Sequence, residues 1–227
     1  MFDNMNIGYI TLNISFVCYL SLLVPQLIHN WKYRNTQHLS LSMHYVMTVC
    51  YILDLLYGIG RDMQWQYKTV TIMGVICLAI QHIQIYQYSH FNAQQRRHYI
   101  FYTGLLLSLL IGTIYGLVAM QLPSSVWIWA GGGAQVGALI YVIPQIIKNH
   151  KIQSTAGINL YFVLLLIFLS ICDSISAWSL GWDWPSRYGA PVGIFIRLIL
   201  LYQFFKYRHI MSGMLESRKP KVSVQSV

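Results

Sequence analysis

Charge of either sign is scarce in this sequence, and acid is scarcest. Six Asp and Glu stand against fifteen Lys and Arg in 227 residues, so charged side chains make up only 9% of the chain. Soluble domains carry roughly 25%, and a water-soluble protein of this size could not cover its surface with so few. Nucleic acid is excluded as a partner as well. The net charge of +9 is spread over short stretches between apolar segments rather than gathered on one face. Cysteine is sparse too: Cys18, Cys50, Cys77 and Cys172 fall inside apolar segments with no CxxC spacing. Zinc and redox motifs are therefore unsupported, and the four read as small packing residues. No basic stretch of a cleavable signal peptide opens the chain. Also missing are GxSxG, HExxH, P-loop and dinucleotide fingerprints. The eight histidines show no metal-ligand spacing. No enzyme, metal or organic cofactor is expected.

What is present is apolar: 56% of the residues. A membrane helix needs about 20 mostly apolar residues to cross a core of about 30 Å. Seven segments qualify, at 7–29, 39–60, 67–88, 99–120, 126–147, 158–180 and 187–207. Orientation is set by the basic residues of the short loops. Eleven Lys and Arg fall on the side of Lys32, Arg96, Lys148 and the C-terminus, and three, Arg61, Lys68 and Arg187, on the other. The expected topology has the N-terminus outside and the C-terminus in the cytoplasm, in contact with membrane lipid. The polar tail, 212–227, is expected to be disordered.

Shifting the chain against itself by 119 residues, without a gap, reveals an internal repeat. Pro25 falls on Pro144, Gln26 on Gln145, Asn30 on Asn149, Thr36 on Thr155 and Asp54 on Asp173. Nine identities occur in thirty positions, where chance supplies about two. Farther on, Gly74 meets Gly193 and Gln84 meets Gln203. The expected fold is an all-α integral membrane protein with seven transmembrane helices in a 3+1+3 plan. Residues 1–98 form the first three-helix repeat, 99–120 the linker helix and 121–211 the second repeat. An odd linker gives the two repeats the same orientation, with a site expected at their interface near the midplane.

Pro25 and Pro144 remove a backbone donor and clash with the carbonyl four residues earlier, so each helix should bend there. The amides of Gln26 and Gln145 are candidates to satisfy the freed carbonyls. One such pair would be an ordinary packing kink; two at equivalent places read as hinges. Asp54 and Asp173 each lie 29 residues beyond their proline and are the only acids deep in apolar segments. A carboxyl group there is expensive and functional by default. It can carry a proton, pair with a cationic substrate, or pair with a neighbouring helix. Arg197 is the only cation deep in a helix. Its guanidinium either binds a substrate carboxylate bidentately or serves as fixed counter-ion to an aspartate. Gln81, His82, Gln84 and Gln203 bring polar groups into the third and seventh helices, to line a cavity or to bond between helices. Gly131–Gly133, Ala134, Gly137 and Ala138 give the fifth helix a small-residue packing face. Lys206, at the end of the last segment, is misplaced for a retinal protein.

The stretches Val24-Pro25-Gln26-Leu27-Ile28-His29-Asn30-Trp31-Lys32 and Ile143-Pro144-Gln145-Ile146-Ile147-Lys148-Asn149-His150-Lys151 resemble the paired motifs of the PQ-loop repeat family, as does Ser154-Thr155-Ala156-Gly157. The resemblance runs over 7–207. That superfamily includes cystinosin-like transporters and cationic amino acid exporters, with SWEET sugar transporters and KDEL receptors as distant relatives. It implies alternating access with bending at the Pro-Gln pairs, and proton coupling through helix acids at the positions of Asp54 and Asp173. The chain differs from cystinosin-like members at Leu169, where they carry Asn, and at Arg197, where they carry an acid. The resulting expectation is a transporter of amino acids or similar small solutes, with protons as coupling ion. A SWEET-like sugar facilitator and a non-transporting receptor are the alternatives. The expected compartment is a bacterial inner membrane, or else a lysosomal or vacuolar one, with the oligomeric state left open.

Overall fold

In the computed structural model, which describes residues 2–36, 41–119, 122–155 and 160–217, every regular element is a helix. In chain order these are α1 (Phe2–Leu22), α2 (Val24–Tyr33), α3 (Leu41–Gly60), α4 (Trp65–Tyr88), α5 (Ala93–Ala119), α6 (Ser124–Ile140), α7 (Ile143–Ile152), α8 (Leu160–Ser179) and α9 (Trp184–Ser217). Among the described residues six stretches are long and apolar enough to cross a membrane: Met5–Tyr33, Leu41–Gly60, Trp65–Tyr88, Ser124–Lys151, Leu160–Ser179 and Trp184–Tyr207. The last helix continues to Ser217, past the boundary expected at residue 212. Residues 218–227 of the expected tail lie outside the described residues, as do Ala156 and Gly157 of the second motif.

The first and fifth apolar segments are each two helices. The break falls at Leu23 and again at Tyr141–Val142, so each proline sits in the first turn of a new short helix. There its missing N–H costs no intrahelical bond. Leu23 and Val142 keep right-handed helical dihedrals, so the chain bends without forming a loop. About two helical turns lie beyond each proline, twice the length expected from the sequence. The repeat shows in the turns as well. Arg34 and Gln153, 119 residues apart, end α2 and α7 in the left-handed region, at φ 46° and 49°. Asp62 and Gly181, also 119 apart, have φ of 45° and 70° after α3 and α8. There Met63 N–H donates to Gly58 O at 2.9 Å and Trp182 N–H to Ala177 O at 3.0 Å, the bond that closes a helix end around a left-handed residue.

Packing arranges six helices in a closed ring: α1 on α4, α4 on α3, α3 on α6, α6 on α9, α9 on α8, and α8 back on α1. The seams between the halves are therefore α3–α6 and α1–α8. Small residues allow the first. A Cβ on Gly131 would stand 2.8 Å from the Tyr57 ring, and one on Gly137 would stand 2.2 Å from Cys50 Sγ. That is the packing role expected of this face. α5 lies outside the ring against α3 and α4, while α2 packs on α1 and α4 and α7 on α6 and α9. Val17, Phe101, Leu105, Ile111, Tyr115, Phe195 and Tyr202 are exposed on the outside. An apolar exterior of this extent suits lipid rather than water.

Candidate functional site

Asp54 on α3 and Asp173 on α8 face one another across the ring. Their helices do not pack together, yet the two carboxyl groups lie within electrostatic reach of each other. Each accepts from a tyrosine hydroxyl: Tyr67 of α4 donates to Asp54 Oδ1, and Tyr19 of α1 donates to Asp173 Oδ2 at 2.6 Å. Arg197 of α9 lies within electrostatic reach of Tyr141, Tyr19 and Asp173. No ion pair within 4 Å joins Arg197 to either aspartate among the described residues. Tyr51 stands between the parts, within reach of Tyr141, Asp54 and Asp173. All seven side chains are enclosed by the helices but keep intermediate solvent exposure. They are partly accessible rather than sealed in core. The interior thus presents two acids, one guanidinium and four phenols, enough to hold a zwitterion by both ends and a proton beside it.

Toward the less basic end, the halves are bound together. Arg61 makes a two-pronged pair with Asp183, Nε to Oδ2 at 2.7 Å and Nη2 to Oδ1 at 3.1 Å. The Tyr57 hydroxyl also donates to Asp183, at 3.3 Å. Trp182 Nε1 donates to Gln64 at 2.9 Å, and Thr11 and Ser176 share a 2.7 Å hydroxyl contact. The bond to Asp183 holds the Arg61 guanidinium still more firmly protonated. Nearby Asp62, bonded to Lys68 at 2.8 Å, is held below the usual carboxylate range. Arg187 lies over the Trp178 ring at 5.5 Å.

At the basic end each half carries the same relay. Gln26 Nε2 donates to Asn30 Oδ1 at 2.7 Å, Asn30 Nδ2 to Gln84 Oε1 at 3.0 Å, and Gln84 Nε2 to Leu27 O at 3.0 Å. In the second half Gln145 donates to Asn149 at 2.8 Å, Asn149 to Gln203 at 3.2 Å, and Gln203 to Ile146 O at 3.0 Å. Gln26 and Gln145 therefore hold asparagines one turn on, not the carbonyls freed by proline. Backbone acceptors are served by Gln84 and Gln203, which belong to this relay rather than to the ring interior. Gln81 bonds His44 at 2.9 Å, and His82 contacts Thr48 and Tyr99. Those two residues sit where α3, α4 and α5 meet. Of the interior, the sequence supplied Asp54, Asp173 and Arg197 and missed Tyr19, Tyr51, Tyr67 and Tyr141. Tyr19 and Tyr51, in mid-segment rather than at segment ends, were the available signal.

These features define a multi-pass helical membrane protein made of two copies of one unit around a polar interior. The chain belongs to the PQ loop repeat family, whose pattern matches residues 7–67 and again 126–186, more than half its length and again at a spacing of 119. Its fold is similar to that of a solved eukaryotic SWEET transporter, with a TM-score of 0.74 at 13% identity over 91% of this chain and 99% of that one.

Proposed function

We propose that this protein is a transporter that carries amino acids or amino-acid-like small solutes across a membrane by alternating access, coupled to protons. The observation that carries the reading is the pair of aspartates facing across the ring with Arg197 beside one of them. In this reading α5 is the seventh span and completes a 3+1+3 plan with parallel repeats, N-terminus outside and C-terminus cytoplasmic. A bacterial inner membrane suits the short loops, with a lysosomal or vacuolar membrane as the alternative. Arg197 meets the substrate carboxylate, Asp173 the ammonium, and Asp54, which has no cation beside it among the described residues, takes the proton. Tyr19 and Tyr67 orient the two carboxyl groups. The Arg61–Asp183 pair closes the outer end and must part for the site to face outward, while the bends at Pro25 and Pro144 let each half open at the other end. A sugar facilitator would have no need of a buried guanidinium beside a carboxyl group, since neutral hydroxyls require neither charge.

Flux of labelled amino acids into liposomes holding the purified protein, with and without a pH gradient, tests this. Asp54→Asn should abolish the response to the gradient, and Asp173→Asn should abolish uptake. Uptake of none of the common amino acids, or uptake indifferent to the gradient and to both substitutions, would overturn the reading.

A further inference from the structure

The joint of α3, α4 and α5 holds a buried polar cluster that the axial site does not use. His44, Thr48, Gln81, His82 and Tyr99 are all buried there. Both nitrogens of His82 face hydroxyl oxygens: Nε2 lies 3.0 Å from Thr48 Oγ1, and Nδ1 lies 2.9 Å from the Tyr99 hydroxyl. Each hydroxyl also reaches a backbone carbonyl. Thr48 donates to His44 O at 2.8 Å, and Tyr99 donates to His82 O at 2.7 Å. A carbonyl can only accept, and a hydroxyl owns one hydrogen. With those hydrogens committed, both oxygens can only accept from the ring. Two N–H groups are then required of His82. A neutral imidazole has one and an imidazolium has two, so a neutral ring forfeits one of the four contacts.

A second observation points the same way. The Tyr45 ring stacks on His82 with centroids 5.4 Å apart and planes 28° apart, and the Tyr99 ring lies at 6.1 Å. The face of an aromatic ring attracts a cation. We propose that His82 is a proton-binding site, taking up one proton from solution as an imidazolium that ties α5, through Tyr99, to α3, through Thr48.

The groups facing it are His44, Tyr45 and Thr48 from α3 and Tyr99 from α5, with Gln81 bonded to His44, Tyr86 against Tyr99 and Tyr102 against Tyr45 behind them. Toward α1 and α2, the side-chain bonds of α4 run through the neutral amides of Asn13, Gln66, Asn30 and Gln84. The Arg96 guanidinium lies over the Tyr86 ring at 4.6 Å. No carboxylate pairs with His82 among the described residues. Burying a cation costs desolvation energy, and in this proposal the two accepting oxygens and the ring faces are what the site sets against that cost. The site lies on the same helix pair as Asp54 and Tyr67, with Thr48 about 9 Å along α3 from Asp54 at the helical rise. It stands whether or not the axial aspartates move protons.

The test is a nitrogen NMR titration of the full chain, labelled at its histidine rings and held in lipid nanodiscs, from about pH 5 to pH 8, where imidazole ordinarily titrates. His82→Gln assigns the signal, and Tyr99→Phe assigns it by perturbation should the first variant fail to fold. The expected result is two protonated nitrogens on His82 at the acid end, giving way to one protonated and one bare nitrogen as pH rises. Thr48→Val, which removes an accepting oxygen, should reduce the ratio of doubly to singly protonated ring at fixed pH about fivefold, the scale of one lost hydrogen bond. A single neutral tautomer through the whole range, indifferent to Thr48→Val, would overturn the proposal. Neither result depends on flux, so failure here is distinguishable from failure of the transport reading.

Discussion

Arg61 and Asp183 meet in the loops after α3 and α8, so an ion pair is among the side-chain contacts that join the two halves at the less basic end. Both are partly exposed, at 29% and 23%. Water screens such a pair, and even with two-pronged geometry its worth is about 1 kcal/mol or less. Arg61→Gln should therefore lower thermal stability only slightly while changing which end is open. A cysteine placed at Tyr67, beneath the pair, should react several-fold faster with a membrane-impermeant thiol reagent added outside. Unchanged labelling would show that the pair does not hold this end shut. At this scale the sequence disclosed the charged residues and hid their partners. Asp54 and Asp173 stand out because charge in an apolar segment is rare. Tyr19, in mid-segment, is only a faint signal and Tyr67, at the start of its segment, is none, because Tyr is common at the ends of membrane helices. The repeat could not expose them either, since Ala138 and Ser186 occupy the matching positions.

The short helices α2 and α7 carry the bend expected at each proline into an element of about two turns. Proline makes the bend, and the relay of Gln26, Asn30 and Gln84 fastens the short helix α2 beyond it to α4. Asn149 and Gln203 do the same for α7 and α9. Asn30 and Asn149 are almost wholly buried, where an amide left without its partner costs about 1–3 kcal/mol. Asn30→Ala and Gln84→Ala should each destabilise the protein by roughly that amount, and the double variant by clearly less than the sum. Thermal unfolding in detergent gives the comparison; additive losses would mean that the two side chains act separately. Apolar length and the two Pro-Gln pairs made the bends legible in the sequence. Their direction and their anchorage were not legible, because Gln84 and Gln203 are recruited from helices more than fifty residues away.

The whole molecule is a ring closed at one end. Between-half bonds at Arg61, Gln64, Thr11 and Tyr57 gather at the less basic end, whereas the relays at the basic end stay within their own halves. If transport requires that end to open, cysteines at Gln64 and Trp182, bridged by a short reducible thiol reagent, should stop flux, and reduction should restore it. Flux that survives bridging would remove the outer end from the transport cycle. The sequence by itself determined that the chain crosses a membrane, that one unit occurs twice at a spacing of 119, and that each copy carries a bend and an acid. Those features come from local hydropathy and from residue identity, which the chain records position by position. Tertiary structure alone decided that α3 seams to α6 and α8 to α1, that Asp54 pairs with Tyr67 but Asp173 with Tyr19, and that Arg197 sits beside only one of the acids. Those depend on which helix faces meet across the ring, and the residues that make the difference, with Leu78 in the place of Arg197, are the ones the two copies do not share.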